Sequence, residues 1–97
     1  MILKGASMIS CYLSHVGLAL KETRVLKGME VWRLTAKIRH KIGRHKDIDQ
    51  EYVCRVECGE LSLTFRRFLL WCQVLEATPS FVLKTAECLI EHDQNSD

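Results

Sequence analysis

Ile48-Asp49-Gln50-Glu51-Tyr52-Val53-Cys54-Arg55-Val56-Glu57-Cys58-Gly59-Glu60 is the stretch on which the reading of this chain turns. Ile48, Tyr52 and Val56 recur at i, i+4, i+8, with Val53 beside them, which predicts a short helix with one apolar side. Asp49 precedes the first turn, where a carboxylate can accept the free N–H groups of a helix start. Gly59 follows the last turn, where a helix end favours a residue that tolerates positive φ. The apolar side faces a core. Gln50, Glu51, Cys54, Arg55 and Cys58 are left on the other side, facing outward. A short, propped-up helix with polar residues at its start is a common means of entering a DNA groove.

Working outward, the totals describe a single small domain, and the helical spacings along it make it all-α. The chain has 97 residues, 47% of them hydrophobic, with one proline and five glycines. That is too apolar for a disordered chain, and no apolar run approaches the roughly 20 residues that cross a bilayer. Met1–Met8 is too short for a signal peptide, so a cytoplasmic protein is expected. The five cysteines (Cys11, Cys54, Cys58, Cys72, Cys88) are an odd number with no C-x-x-C pair, which favours free thiols over a disulfide framework. A zinc site from Cys54, Cys58, His40 and His45 is conceivable, but the spacing matches no zinc ribbon or finger. No metal and no other cofactor is therefore expected. His15, His40, His45 and His92 are scattered and there is no glycine-rich phosphate loop, so an enzyme is not expected either.

Charge is distributed unevenly. Net charge is only +2, yet Val31 to Lys46 holds Arg33, Lys37, Arg39, Lys41, Arg44 and Lys46 with no acid, while Glu87 to Asp97 holds four acids and no Lys or Arg. A basic middle and an acidic end suit a protein that turns one face to a polyanion. The central helix itself runs against this trend. Asp47 to Glu60 carries Asp47, Asp49, Glu51, Glu57 and Glu60 against the single cation Arg55.

Four further helices are predicted around the central one. The first covers Ser14 to Lys27, with Val16, Leu20 and Thr23 on its apolar side, Leu13 and Leu26 extending it, Ser14 as cap and Gly28 as stop. The second covers Met29 to Ile42, with Val31, Leu34, Ile38 and Ile42 inward and Trp32 or Ala36 at the margin. Gly43 to Asp47 then forms a break rich in cations. The fourth covers Leu61 to Leu75 with a broad apolar face of Phe65, Phe68, Leu69, Cys72 and Leu75, extended by Trp71, and with Ser62 or Thr64 as cap. The fifth covers Phe81 to Glu91, announced by Thr78 as N-cap and Pro79 at the first helical position, with Val82, Ala86, Leu89 and Ile90 on its apolar face. The organisation expected is a lead-in over 1–13, a helical domain over 14–91 and a loose acidic tail over 92–97.

Gln50-Glu51-Tyr52-Val53-Cys54-Arg55-Val56-Glu57-Cys58-Gly59-Glu60 resembles the third helix of the lambda-repressor/Cro (XRE) helix-turn-helix family, which commonly runs polar-x-Tyr-aliphatic-Ser-Arg-aliphatic-Glu-x-Gly-Glu. Cys54 stands at the Ser position. Gly17-x-x-Leu20-Lys21-x-x-Arg24-x-x-x-Gly28 is similar to the family's first helix, and Leu75-x-x-x-Pro79 to its last turn, with Glu76 where Gly is common. The second helix departs from the pattern: Glu30-Val31-Trp32-Arg33 lacks the Gln that usually holds a phosphate, and the turn to the third helix is longer than the family's.

The resemblance spans about residues 14–90 and implies a compact five-helix lambda-repressor-like bundle with a lengthened turn. It implies a transcriptional regulator, a repressor of phage or antitoxin type, acting as a homodimer on double-stranded DNA. Gln50, Glu51, Cys54 and Arg55 would then meet base edges. Arg33, Lys41, Arg44, Lys46, Ser62 and Thr64 would hold phosphates, Lys21 and Arg24 would point outward, and Glu57 and Glu60 would turn back toward the domain. Phe81, Leu89 and Ile90 are the dimer candidates, or else complete the core. The acidic third helix and altered turn leave a second possibility, a protein-binding adaptor on the same scaffold.

Overall fold

Helix punctuation in the sequence maps closely onto the backbone. The computed structural model describes residues 5–43 and 47–95, with side chains from Tyr12 to Gly43 and from Asp47 to Asp93. Five helices follow one another: α1 (Gly5–Leu26), α2 (Val31–Ile42), α3 (Gln50–Glu57), α4 (Phe65–Leu75) and α5 (Pro79–Asn95). No strand occurs among the described residues, and none of their helices is long and apolar enough to cross a membrane.

Each helix start has a local cause. Asp49 caps α3, its carboxylate accepting the Tyr52 N–H at 2.8 Å. Thr64 caps α4 by accepting the Arg67 N–H at 3.2 Å, and the Thr78 hydroxyl accepts the Phe81 N–H at 3.2 Å as α5 begins. Ser62 plays no such part, and α4 starts four residues later than Leu61 because 61–64 is spent crossing from α3. Glu30 precedes α2 in an extended conformation without capping it; its carboxylate accepts the Trp32 indole N–H instead, at 2.7 Å. α2 ends at Ile42, with Gly43 as its C-cap, and α3 begins at Gln50.

The outer limits differ from the sequence reading. Ser14 is no cap, because α1 already begins at Gly5 and passes through it; nothing between Gly5 and Gly17 breaks a helix. α5 likewise continues to Asn95, beyond Glu91. Its last turns lie on α1, where His15 Nε2 meets Asp93 Oδ2 at 2.5 Å. The described parts of the lead-in and the tail thus contribute helix, and α1 and α5 form the most extensive helix pair among the described residues.

The core draws on every helix: Ala19 and Leu20 from α1, Leu34 and Ile38 from α2, Val53 and Val56 from α3, Phe68, Trp71, Cys72, Val74 and Leu75 from α4, and Val82 and Ala86 from α5. Ile48, just before α3, joins them. Trp71 is fully buried, yet its indole N–H has no hydrogen-bond partner among the described residues. An orphan donor costs about 1–3 kcal/mol, whereas burying an indole of about 200 Å² returns about 5 kcal/mol. The ring therefore stays inside. Burial pushes the Cys72 thiol beside it in sequence up to about 11.

Several apolar residues expected inside are not there. Phe65 is 72% exposed because it stands in the first turn of α4, on the wall of an open apolar groove, and Leu69 is 39% exposed because it falls outside the 68–71–72–75 stripe that α4 turns inward. Leu13 and Leu26 are also exposed, leaving Ala19, Leu20 and Thr23 to face the core.

Candidate nucleic-acid interface

α3 is held in one rotational setting by three contacts behind it. The first is an ion pair: Arg24 Nε donates to Glu57 Oε2 at 2.7 Å and its second amine to Oε1 at 3.1 Å. Both side chains are nearly covered, and Arg24 also donates to the Met29 carbonyl at 2.8 Å. Arg24 therefore does not point outward as expected, while Glu57 does turn back into the domain. A two-pronged guanidinium–carboxylate pair defines orientation as well as distance.

The second contact is a close backbone approach. Gly17 lies against the carbonyl end of α3, so near that a side chain there would begin 2.0 Å from the Val56 carbonyl oxygen. Gly59, at φ +85°, completes the junction: a Cβ on it would lie 2.9 Å from the Ser14 Cβ. Only glycine fits both the space at 17 and the backbone at 59.

The third contact is Tyr52, half-buried with its ring 6.2 Å from that of Trp71. Arg67 lies over the Tyr52 ring at 5.6 Å and donates to the hydroxyl at 3.3 Å. With Val53, Val56 and Glu57 inward and Tyr52 wedged at the edge, Gln50, Glu51, Cys54, Arg55 and Cys58 are all exposed on the far side. Arg55 Nε donates to Glu60 at 3.4 Å, but both side chains are about half exposed or more, so solvent weakens the pair. The Cys58 thiol donates to the Cys54 carbonyl at 2.9 Å.

Other expected contact residues are more dispersed. Arg33 and Lys41 are exposed on α2. Lys41 lines a groove with Lys37, His40, Gln73 and Glu76, on the α4 side of α2, and Arg33 shares that ridge by its i, i+4, i+8 spacing. The ridge of α2 that borders α3 carries Trp32, Thr35 and Arg39 instead, and Ala36 lines both grooves. Ser62 is exposed, as is Thr64, whose hydroxyl keeps its own O–H free to donate while capping α4. Arg44 and Lys46 lie outside the described residues. Among the dimer candidates, Phe81 is 48% exposed, whereas Leu89 and Ile90 are half-buried and Leu89 packs on the core.

Sequence reasoning did not single out Gly17 as an interlocking residue, pair Arg24 with Glu57, or place Trp32 beside α3. A glycine in mid-helix was the available signal for the first, since it weakens a helix unless something else needs the space. Among the described residues no group of three or more His, Cys, Asp or Glu is arranged to hold a metal ion. An apolar groove of about 380 Å³ opens between α1, the start of α4 and Leu83 of α5, with Leu13, Val16 and Phe65 among its walls. Comparisons of this chain with protein-family models, with curated proteins and with solved structures return no match.

Proposed function

We propose that this chain is a sequence-reading DNA-binding protein, a transcriptional regulator of repressor type, that lays α3 in the major groove. The observation that carries the reading is the division of α3 into a clamped inner side and an outer side on which Gln50, Glu51, Cys54 and Arg55 are all free of the protein's own fourth and fifth helices. Those groups have base-edge chemistry: a Gln amide suits adenine, a guanidinium suits guanine, and a carboxylate accepts from the cytosine amino group. The likeness of the Gln50–Glu60 run to the lambda-repressor/Cro third helix supports the same reading.

Charge bears on it in both directions. Of the five acids around α3, Glu57 is neutralised by Arg24, Glu60 has only the weak exposed pair with Arg55, and Asp49 keeps its charge while capping the helix. Asp47 and Glu51 stand beside them, against exposed Arg33, Lys37, Arg39, Lys41 and Arg66 nearby in the sequence. The exposed Asp47, Glu51 and Glu60 favour the second reading, a protein-binding adaptor on this scaffold. Dimerisation belongs to the proposal too: Phe81, and the groove containing Leu13 and Phe65, offer apolar surface for a second copy.

Fluorescence anisotropy with mixed duplex DNA at about 50 and 200 mM salt separates the readings, because phosphate contacts lose affinity steeply over that range. Binding that weakens with salt supports DNA recognition; no binding at the lower salt supports the adaptor. Once a preferred site is selected from a random duplex pool, Arg55→Ala is expected to cost about 1–3 kcal/mol on that site and little on random DNA. A palindromic selected site would support the dimer.

A further inference from the structure

Trp32 and Trp71 are the two tryptophans of the chain. Trp71 is fully buried, while Trp32 is 57% exposed in the first turn of α2. The Trp32 indole N–H donates to the Glu30 carboxylate at 2.7 Å, which orients the ring and sets a negative charge at its edge. Trp32, Thr35 and Arg39 form one wall of a cleft of about 410 Å³, and Asp49, Gln50 and Glu51 form the other. Asp49 and Glu51 also line an adjoining depression with Asp47. Arg39 is the one cation among the described residues on the cleft walls, and Arg55, beyond them, faces Glu60. Exposed Glu30, Asp47, Asp49 and Glu51 thus make this flank locally negative in a chain whose net charge is +2.

We propose that this cleft is a docking surface for a basic protein segment, with an arginine of the partner stacked on Trp32 and the N–H groups of its guanidinium turned to the carboxylates of Asp49 and Glu51. Charge complementarity selects the occupant: the carboxylates repel phosphate and attract a cation. A guanidinium matches the rest of the cleft, because its plane stacks on an aromatic face while its N–H fork pairs with carboxylates. Asp49 caps α3 through one carboxylate oxygen, Oδ1, and the second oxygen can accept from a partner. An exposed tryptophan held by its own hydrogen bond is also the kind of side chain on which protein interfaces concentrate their energy. The inference deepens the adaptor reading above by giving its partner a chemistry. Gln50 and Glu51 begin the outer side of α3, so a segment seated here and a duplex laid on α3 exclude each other.

The test uses the full chain with a short labelled polyarginine peptide, polyglutamate as control, and mixed duplex DNA in a separate titration, following label anisotropy and Trp32 emission. Polyarginine should bind, change Trp32 emission and weaken with salt, while polyglutamate should do neither. Trp32→Ala should weaken peptide binding about three- to tenfold, and Trp32→Phe, which keeps an aromatic face, should restore most of it. Glu51→Gln should weaken it about two- to fivefold, whereas Arg39→Ala should tighten it, because the opposing cation is gone. Trp71 emission and circular dichroism check that each variant is folded. Polyarginine binding that ignores Trp32→Ala and Glu51→Gln overturns the inference. So does a Trp32 emission change driven by protein concentration alone, which would assign the cleft to a second copy. If duplex DNA and not the peptide changes Trp32 emission, the inference and the adaptor reading fall together; if neither does, the inference falls alone.

Discussion

The two sides of α3 are built on opposite terms. The inner side is committed: Glu57 pairs with Arg24, Val53 and Val56 are buried, and Gly17 meets the Val56 carbonyl with no room for a methyl group. The outer side is uncommitted, with Gln50, Glu51, Cys54 and Arg55 in solvent and one weak exposed pair, Arg55–Glu60. The difference teaches how an eight-residue helix, too short to be stable alone, can present side chains in a defined direction: its rigidity is supplied from behind, so its front carries none of the stability and is available for recognition.

The sharpest way to break this contrast is to remove Arg24. Arg24→Ala leaves Glu57 buried without its partner, and a loss of about 3–5 kcal/mol is expected in urea or thermal unfolding. A loss below about 1 kcal/mol would show that the pair does not anchor α3. Next comes Gly17→Ala. Helix propensity alone would favour alanine by about 0.5–1 kcal/mol, but a Cβ 2.0 Å from a backbone oxygen forces α1 and α3 apart. Overpacking of this kind costs about 1–3 kcal/mol, so the net change should be destabilising; a stabilised variant would contradict the close approach.

Asp49 sits at the boundary between the two sides. Asp49→Ala removes the cap on the Tyr52 N–H and should cost about 1 kcal/mol, an intermediate value that hydrogen exchange at the Tyr52 amide would localise. Smallest of all is the double change Gln50→Ala with Glu51→Ala, expected to stay within about 0.5 kcal/mol of the parent because neither side chain supports the fold. A large loss there would mean the outer side is structural after all.

The thiols sharpen the same comparison chemically. Cys54 and Cys58 are exposed, whereas Cys72 is buried and its thiol is raised from 9.0 to about 11 by that burial. The folded state therefore favours the neutral thiol. The stability it contributes is intact below about 9 and is lost as pH rises toward about 11. Unfolding measured across that interval should fall more steeply for the parent than for Cys72→Ala, and a thiol reagent at neutral pH should label Cys54 and Cys58 while sparing Cys72. Equal pH slopes in the two proteins would remove the burial effect.

Much of the local structure was legible in the residues. The cap at Asp49, the stop at Gly59 and the turn into Pro79 depend on chemistry within four residues, which is why they could be read from spacing alone. Glu76 shows where local chemistry is overruled: it takes φ 55°, a left-handed setting that favours glycine, at the end of α4, where its carbonyl accepts Lys27 Nζ at 3.2 Å. The limits of α1 and α5 lie beyond those that spacing predicts because Ser14 stands inside a continuing helix and does not start one, and because Asp93 meets His15 of α1, distant in sequence. Spacing alone places Phe65 and Leu69 in the core, because an apolar stripe broader than the space available for it looks the same in sequence as one that is fully buried.

By itself, then, the order of residues determined an all-α chain of five helices, the apolar side of α3 and the identity of the side chains opposite it. Periodicity and capping are short-range effects, and 97 residues are enough to express them. Only the folded chain decided which distant groups met: Arg24 with Glu57, Gly17 with Val56, Arg67 with Tyr52, and Trp32 beside Gln50. Those contacts join residues 15 to 39 positions apart, and they exist because five amphipathic helices have few ways to bury all their apolar sides at once.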